Sequence, residues 1–508
     1  MRRRNENARA GHRHGRWWTA AAVLAVALAV AVAPTARAQT EPGAEEPPLF
    51  LLEEIRVENA KLARPEVVLA EARLVAGREY GEAELRMALE RIVRLPLVLA
   101  AEPRLEKGSE RGRYVLVIEL EEANAWFFNV DLHWEHWQPD VQLATFSSTN
   151  WVDTGSVLIG YRRPIGRRGV GFVALSGEEG TFNLGYTQYD VGRRGILIST
   201  SLSFGECWAF TGRSSGPGDG GGDEGCQTQV FDLGLDPTLA AWALDERVAR
   251  ARLQVGVPLT GHHSLRLLAS VRNGNGGRRG VTFRPQGRVF GESLTVSDRS
   301  DAELSAAWVY DSTDDPIFPT RGLRADAGVE AASLEATLDD SHPFFDSADP
   351  VTFSTNYDSK SLAVSAGAAW FHTRGENTFG LRGRATVGRS DFDGVPTAAL
   401  VEFQGGTVRE REILSGSADS WSAVVGVTHS RPLWQRRQPG SWRELRWESF
   451  AEYTHQGTSP DFGVAANPLH GYRLGTALRL RTNWGLFSLR FDYLDYGGSD
   501  LGGSDVGR

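Results

Sequence analysis

From Ala125 to near the end of the chain, apolar and polar residues alternate with a period of two. Phe128, Val130, Leu132 and Trp134 alternate with Asn129, Asp131, His133 and Glu135. Much later, Tyr472, Leu474, Thr476, Leu478 and Leu480 alternate with Arg473, Gly475, Ala477, Arg479 and Arg481. Phe487, Leu489, Phe491 and Tyr493 alternate with Ser488, Arg490, Asp492 and Leu494. This is the pattern of β-strands whose two faces meet different surroundings. Arginines spaced by two, opposite large apolar residues, do not suit the core of a soluble sandwich. They suit a transmembrane barrel, where one row faces lipid and the other a wet lumen.

Segments of about ten residues, enough for a tilted strand to cross a bilayer, fall at 126–136, 141–151, 155–164, 180–189, 194–206, 246–258, 263–273, 302–311, 321–332, 359–372, 377–389, 420–431, 444–456, 471–482 and 485–496. The connections alternate in length. Short ones read VDT, DVGRR, LTGHH, TRGE and NWG, whereas 207–245, 274–301, 333–358, 390–419 and 457–470 are long. Short periplasmic turns and long exterior loops are the expected asymmetry. The layout has an odd number of strands, whereas a single-chain bacterial barrel is expected to have an even number. Either a strand is miscounted, at 170–177 or 228–236, or the sequence stops before its closing strand. The ending GGSDLGGSDVGR, which is no strand, favours the second. The fold class expected is therefore mainly β, a transmembrane antiparallel barrel of about sixteen strands.

The pattern differs ahead of Ala125. Leu51 to Val57 reads as a strand. Pro65 to Ala76 and Tyr80 to Arg94 carry apolar residues at helical spacing, with Gly77 as a stop between them. Val98 to Leu105 and Tyr114 to Leu120 are two more strands, giving β-α-α-β-β over residues 50–122. Residues 39–49 are rich in proline and acid and read as a linker. Residues 1–38 begin with a cluster of arginines, continue with the apolar run Thr19 to Ala33, and end in Ala36-Arg37-Ala38. That is the make-up of a cleavable export signal. The expected organisation is thus signal peptide 1–38, linker 39–49, small domain 50–122 and barrel 125–508.

Composition fits. The chain holds 15 Trp, the residue that barrels place at the membrane interface, and its mean hydropathy of −0.30 averages a greasy outside with a polar inside. The net charge of −9 is spread along the chain and argues against nucleic acid as a partner. Cys207 and Cys226 flank SSGPGDGGGDEG on the exterior side. A loop-closing disulfide suits an oxidising compartment, with two free thiols as the alternative.

The most specific segment is Asp311 to Gly322, DSTDDPIFPTRG. It is a turn, with Asp and Pro positions that end one strand and begin the next. With Asp311, Asp314, Pro316, Phe318, Pro319 and Gly322 in place, it resembles the D-x-x-D-x-P-x-F-P-x-x-G turn of the BamA/TamA superfamily of outer-membrane assembly factors. The order of elements in 50–122, with Gly77 to Tyr80 as G-x-x-Y, resembles a POTRA domain. The superfamily has a long loop with a V-R-G-[FY] tip that folds into the barrel. Here Val408 and Arg409 match, while Glu410 and Arg411 replace the glycine and the aromatic. The resemblance implies that Arg409 pairs with an inner-wall acid, and Glu452 stands in that place. The place of a second acid is held by Thr428. An ordinary solvated exterior loop is the alternative.

By resemblance, the chain is expected to insert, assemble or translocate proteins in the bacterial outer membrane, with its small domain in the periplasm. Extended clients would add to strand edges near Leu51–Val57 and Val98–Leu105 and pass to a barrel with a lateral seam. The expected partners are unfolded outer-membrane or secreted proteins, outer-membrane lipid and accessory periplasmic factors. No enzyme is expected: there is no G-x-S-x-G or H-E-x-x-H, and no cofactor, catalytic residue or metal site is implied. In His133-Trp134-Glu135-His136 the two histidines are three apart on a strand and point to opposite faces. The rival readings are a two-partner-secretion transporter and a passive porin or surface antigen.

Overall fold

The computed structural model describes residues 48–498 apart from 96, 140–150, 177–180, 193, 212–241, 260–261, 277, 284–289, 343–350, 397–412, 436–441 and 461–468. The segments 1–38 and 39–47, the candidate strand 228–236 and the tail from 499 lie outside the described residues.

Ahead of the barrel come β1 (Leu49–Glu58), α1 (Pro65–Ala72), β2 (Glu79–Gly81), α2 (Glu82–Val93), β3 (Val98–Lys107) and β4 (Arg113–Glu122). The sheet order is β2-β1-β4-β3, with β1 parallel to β4 and the other pairs antiparallel. Pro65 opens α1, where a missing N–H is tolerated. Helix α1 ends at Ala72, earlier than its apolar spacing suggests, because Arg73 turns left-handed at φ 56°. The second helix likewise starts late. Tyr80 is drawn into the short strand β2, where its buried hydroxyl accepts from the Val75 N–H at 2.7 Å. Leu52, Val68, Ile92, Leu116 and Ile118 form the core between helices and sheet, each under 2% exposed. Val170 and Tyr189 from the barrel belong to the same cluster. The small unit is therefore seated on the barrel through apolar contact.

The barrel begins with β5 (Trp126–Pro139), β6 (Trp151–Ile165), β7 (Gly169–Ser176), β8 (Thr181–Val191) and β9 (Ile196–Thr211). There follow β10 (Trp242–Pro258), β11 (His263–Gly276), β12 (Arg278–Phe283), β13 (Phe290–Asp311), β14 (Gly322–His342) and β15 (Val351–Arg374). The last are β16 (Asn377–Pro396), β17 (Ile413–Gln435), β18 (Trp442–Pro460), β19 (Leu469–Thr482) and β20 (Leu486–Gly498). Both β11 and β12 pair with β13, end to end, and so form one interrupted stave. The closed ring thus has fifteen staves.

Sequential neighbours run antiparallel throughout. The ring closes between β20 and β5, which pair in parallel from Phe487 opposite Val130 to Tyr496 opposite Pro139. Parity explains this: with an odd number of alternating staves, the first and last run the same way. The ring has fifteen staves, within the expected count of about sixteen, and the parallel pair accommodates the odd number. Two assignments change within that count. Val152-Asp153-Thr154 is no turn but lies inside β6, paired with β5 at His133 to Glu135. The 170–177 segment is a strand, β7. An Asp-Thr-Gly run reads as a break, yet in a barrel the ladder of hydrogen bonds overrides local turn preference.

The two faces are sharply different. Leu132, Ile159, Leu202, Leu304, Leu362, Val425, Leu474 and Phe491 lie on the outside, each at least 36% exposed. Trp126, Trp370, Trp434 and Trp484 ring the end where the small unit sits. Such aromatic girdles mark the edge of the hydrocarbon. Charge is turned inward. Asp492, with a fully buried side chain, takes Arg473 at 2.5 Å and Arg490 at 3.0 Å, and both guanidinium groups lie over the Phe450 ring. Arg479 meets Glu448 at 3.4 Å, and Arg481 meets Asp315 at 2.6 Å. The arginine row thus faces the lumen while Tyr472, Leu474 and Leu478 face lipid.

Breaking a buried ion pair leaves one charge uncompensated and costs on the order of 3 kcal/mol or more. Arg473→Leu is expected to lower the urea midpoint of the refolded barrel by about that stability. Leu474→Ala, on the lipid side, is expected to cost less. Equal losses would mean that the arginine row contributes no more than its outward neighbours.

Candidate functional site at the barrel mouth

The turn Asp311 to Gly322 joins β13 to β14 at the end of the barrel beside the small unit. Its shape follows from its carboxylates. Asp311 accepts from the Thr313 N–H at 3.0 Å. Asp314 accepts from the N–H groups of Thr320 and Arg321 at 2.8 and 3.1 Å, so it closes the loop on itself. Asp315 accepts from Ile317 and Phe318 at 2.8 and 2.9 Å. Gly322 has φ 108°, and a Cβ there would lie 2.4 Å from the Ser312 carbonyl oxygen. Only glycine fits that position. Asp311, Asp314 and Gly322 are thus needed for the turn itself.

The turn does not hang free. Phe318, 3% exposed, is tucked under the guanidinium of Arg446 from β18, 5.2 Å from its ring centroid. Arg481 from β19 binds Asp315 at 2.6 Å. The strands β18 and β19 lie about five staves from the turn around the ring. The turn therefore folds inward and meets the wall about a third of the way round the ring. Pro316 and Pro319 flank the segment that carries Phe318 inward.

The small unit grips the same turn. Arg94, just past α2, donates to the carbonyl oxygens of Asp311 and Thr313 at 2.9 and 3.1 Å and lies 3.5 Å from the Asp311 carboxylate. Arg481 also reaches the Leu99 carbonyl of β3 at 3.5 Å. Nearby, Arg443 binds Glu121 of β4 at 2.7 Å. With Val170 and Tyr189 under the apolar core, the unit has three seats on the barrel, spaced roughly a third of the ring apart. It spans the mouth.

Asp315 is balanced between two influences. Burial, the largest, would raise its pKa, but the charge of Arg481 and the N–H groups of Phe318 and Ile317 together hold it below the usual carboxylate value. His262, in the β10–β11 turn beside Asp311, has its pKa lowered mainly by burial and is neutral at pH 7. It packs edge-on against Tyr310 at 5.9 Å.

The other expected residues are dispersed. Glu452, on β18, is buried and held by Arg382 of β16. Its expected partner Arg409 lies outside the described residues. Cys207 is in β9 opposite Glu246, and Cys226 lies outside the described residues. Of the two expected client edges, β3 is an edge, since among the described residues it pairs with β4 alone. Along Leu51–Val57, β4 covers one side of β1, while β2 reaches the other side only as far as Leu51, so Leu52 to Val57 has one strand neighbour among the described residues. Sequence reading did not single out Asp315, Arg94 or Arg443, and it set Arg481 in the lumen-facing row without its partner. Asp315 left a signal as a third acid within a recognised turn.

Residues 173–404, which include the turn Asp311 to Gly322, match the Omp85 superfamily domain. That match agrees with the recognition drawn from the turn. No curated protein sequence matches the chain. Among solved structures, the chain is similar to BamA from Haemophilus ducreyi lacking POTRA domains 1–3, at 13% identity over 89% of this chain and 82% of that one, TM-score 0.41. It is also similar to CdiB from Escherichia coli, at 12% identity over 89% and 73%, TM-score 0.41.

Because the folded pKa of Asp315 is depressed, its pairing contributes stability above the ordinary value of about 3.9. That contribution is lost as pH falls through the lowered value. In planar bilayers, conductance is expected to be low at pH 7 and to rise below about pH 4. Asp315→Asn is expected to raise conductance at pH 7 and flatten the acid step. A variant indistinguishable from the wild type at both pH values would show that the turn does not occlude the mouth.

Proposed function

We propose that this protein inserts or translocates other proteins at the bacterial outer membrane, with residues 50–122 acting as a POTRA-like periplasmic domain. The observation that carries the proposal is the open edge of β3, set directly beneath the barrel mouth. Among the described residues β3 has one neighbour, and Leu99 on it is tied to Arg481 of the barrel. An extended client adding to this edge gains backbone hydrogen bonds whatever its side chains. A porin has no need of such an edge.

The exit is the β20–β5 pair. Parallel ladders are slightly weaker per residue than antiparallel ones, and this is the one parallel pair among the described barrel strands. The inner lock would set Arg409 on Glu452, beside Arg382. The clients are unfolded outer-membrane or secreted proteins, and accessory periplasmic factors would bind the same domain. Export would follow from the signal at 1–38.

Two measurements test this. A photo-reactive residue at Leu105, exposed on β3, is expected to cross-link nascent clients in cells, whereas one at buried Leu116 is not. With the native cysteines replaced by serine, Leu132→Cys with Leu489→Cys, opposite in register, is expected to lock the seam and stop client assembly until reductant is added. Large steady conductance together with undiminished levels of other barrels after depletion would overturn the proposal in favour of a porin.

A further inference from the structure

We infer that the barrel carries a phospholipid site on its lipid-facing wall, between β6 and β9 near the small unit, with Arg163 as the phosphate ligand. The inference rests on the orientation proposed above, in which that end lies at the periplasmic leaflet. A groove of about 350 Å³ indents the wall there. It is lined almost wholly by apolar atoms, with Ile165, Val173, Leu184, Tyr186 and Leu202 around it. Its floor is Gly171. A Cβ at that position would lie 2.3 Å from Ile165 Cδ1, so any larger residue would push Ile165 and fill the hollow.

At the rim stands Arg163, exposed and two residues from the end of β6. No carboxylate among the described residues pairs with it. Arg431, another outward arginine at this end of the barrel, has Glu376 4.0 Å away. Tyr161, beside Arg163 on the outward face, packs on Trp126 of the aromatic girdle at 5.1 Å. The groove thus joins a hydrocarbon-lined hollow to a lone cation at headgroup depth. An arginine facing hydrocarbon is costly at the midplane and nearly free at the interface, and a guanidinium binds phosphate through paired hydrogen bonds. The occupant that fits both parts is a glycerophospholipid, its acyl chain over Gly171 and its phosphate on Arg163.

The test is native mass spectrometry of the full chain in detergent with equal amounts of dioleoylphosphatidylglycerol, dioleoylglycerol and lipid A. One phosphatidylglycerol is expected to stay bound after the detergent is stripped, with dioleoylglycerol absent. Arg163→Gln and Leu202→Trp are each expected to weaken retention about tenfold, while Arg167→Gln in the neighbouring turn does not. Folding of each variant is checked by heat-modifiable gel mobility. Equal retention of both glycerolipids, or retention indifferent to Arg163, would overturn the site. Arg163-dependent retention of lipid A alone would overturn the orientation on which it rests.

Discussion

In hydrocarbon a backbone N–H or C=O without a partner costs several kcal/mol, so a membrane-spanning sheet must close on itself. Every other feature of this barrel follows from meeting that demand with fifteen staves. Hairpin connection makes each neighbour antiparallel, and an odd ring then leaves two strands of one direction to be joined. The β20–β5 pair is the consequence. It is forced by topology and not by any sequence signal at either strand. The one parallel ladder among the described barrel strands and the join between distant chain segments therefore coincide.

Closure also decides where charge goes. Once alternate residues face the lumen, each cation there must find an acid or water. Such pairs stand on β10–β13, as in Arg250 with Glu303 and Arg299 with Asp301, and on the last strands, with Asp492 held by Arg473 and Arg490, and Glu448 by Arg479. The latter groups line the wall next to the join. The barrel is therefore stiffened by ion pairs on the β18–β20 side, next to the parallel ladder. Phe450, under two guanidinium groups, adds an apolar floor to that cluster.

Much of this was legible because period two and turn chemistry are local. The rows at 472–481 and 487–494 announced which side faces lipid, and DSTDDPIFPTRG announced the mouth turn. Local signals also misled. Asp153-Thr154-Gly155 carries turn residues but sits in β6, and GVGFVALS, short and glycine-rich, is a full stave. What could not be read was contact across the ring. Periodicity says that Arg481 points inward but not that Asp315, 166 residues earlier, is what it meets. Arg94 and Asp311 are 217 residues apart, and neither belongs to a periodic pattern that names the other.

That unreadable contact ties the mouth to the seam. Arg481 holds Asp315 and Leu99, and the next residue, Thr482, organises the β19–β20 turn by accepting from the N–H groups of Trp484 and Gly485. The same turn is bonded to the start of β5, through Asn124 to Asn483 at 2.7 Å and Phe128 to Trp484 at 2.9 Å. A displacement of β3 at Leu99 thus reaches both strands of the parallel pair through one side chain and three residues of backbone. Coupling of this kind needs contiguous contacts with two arrangements. The contacts are present, and the ion pair at Asp315 is the element able to be made or broken. The seat of the small unit and the turn between the last two strands therefore meet at neighbouring residues, Arg481 and Thr482.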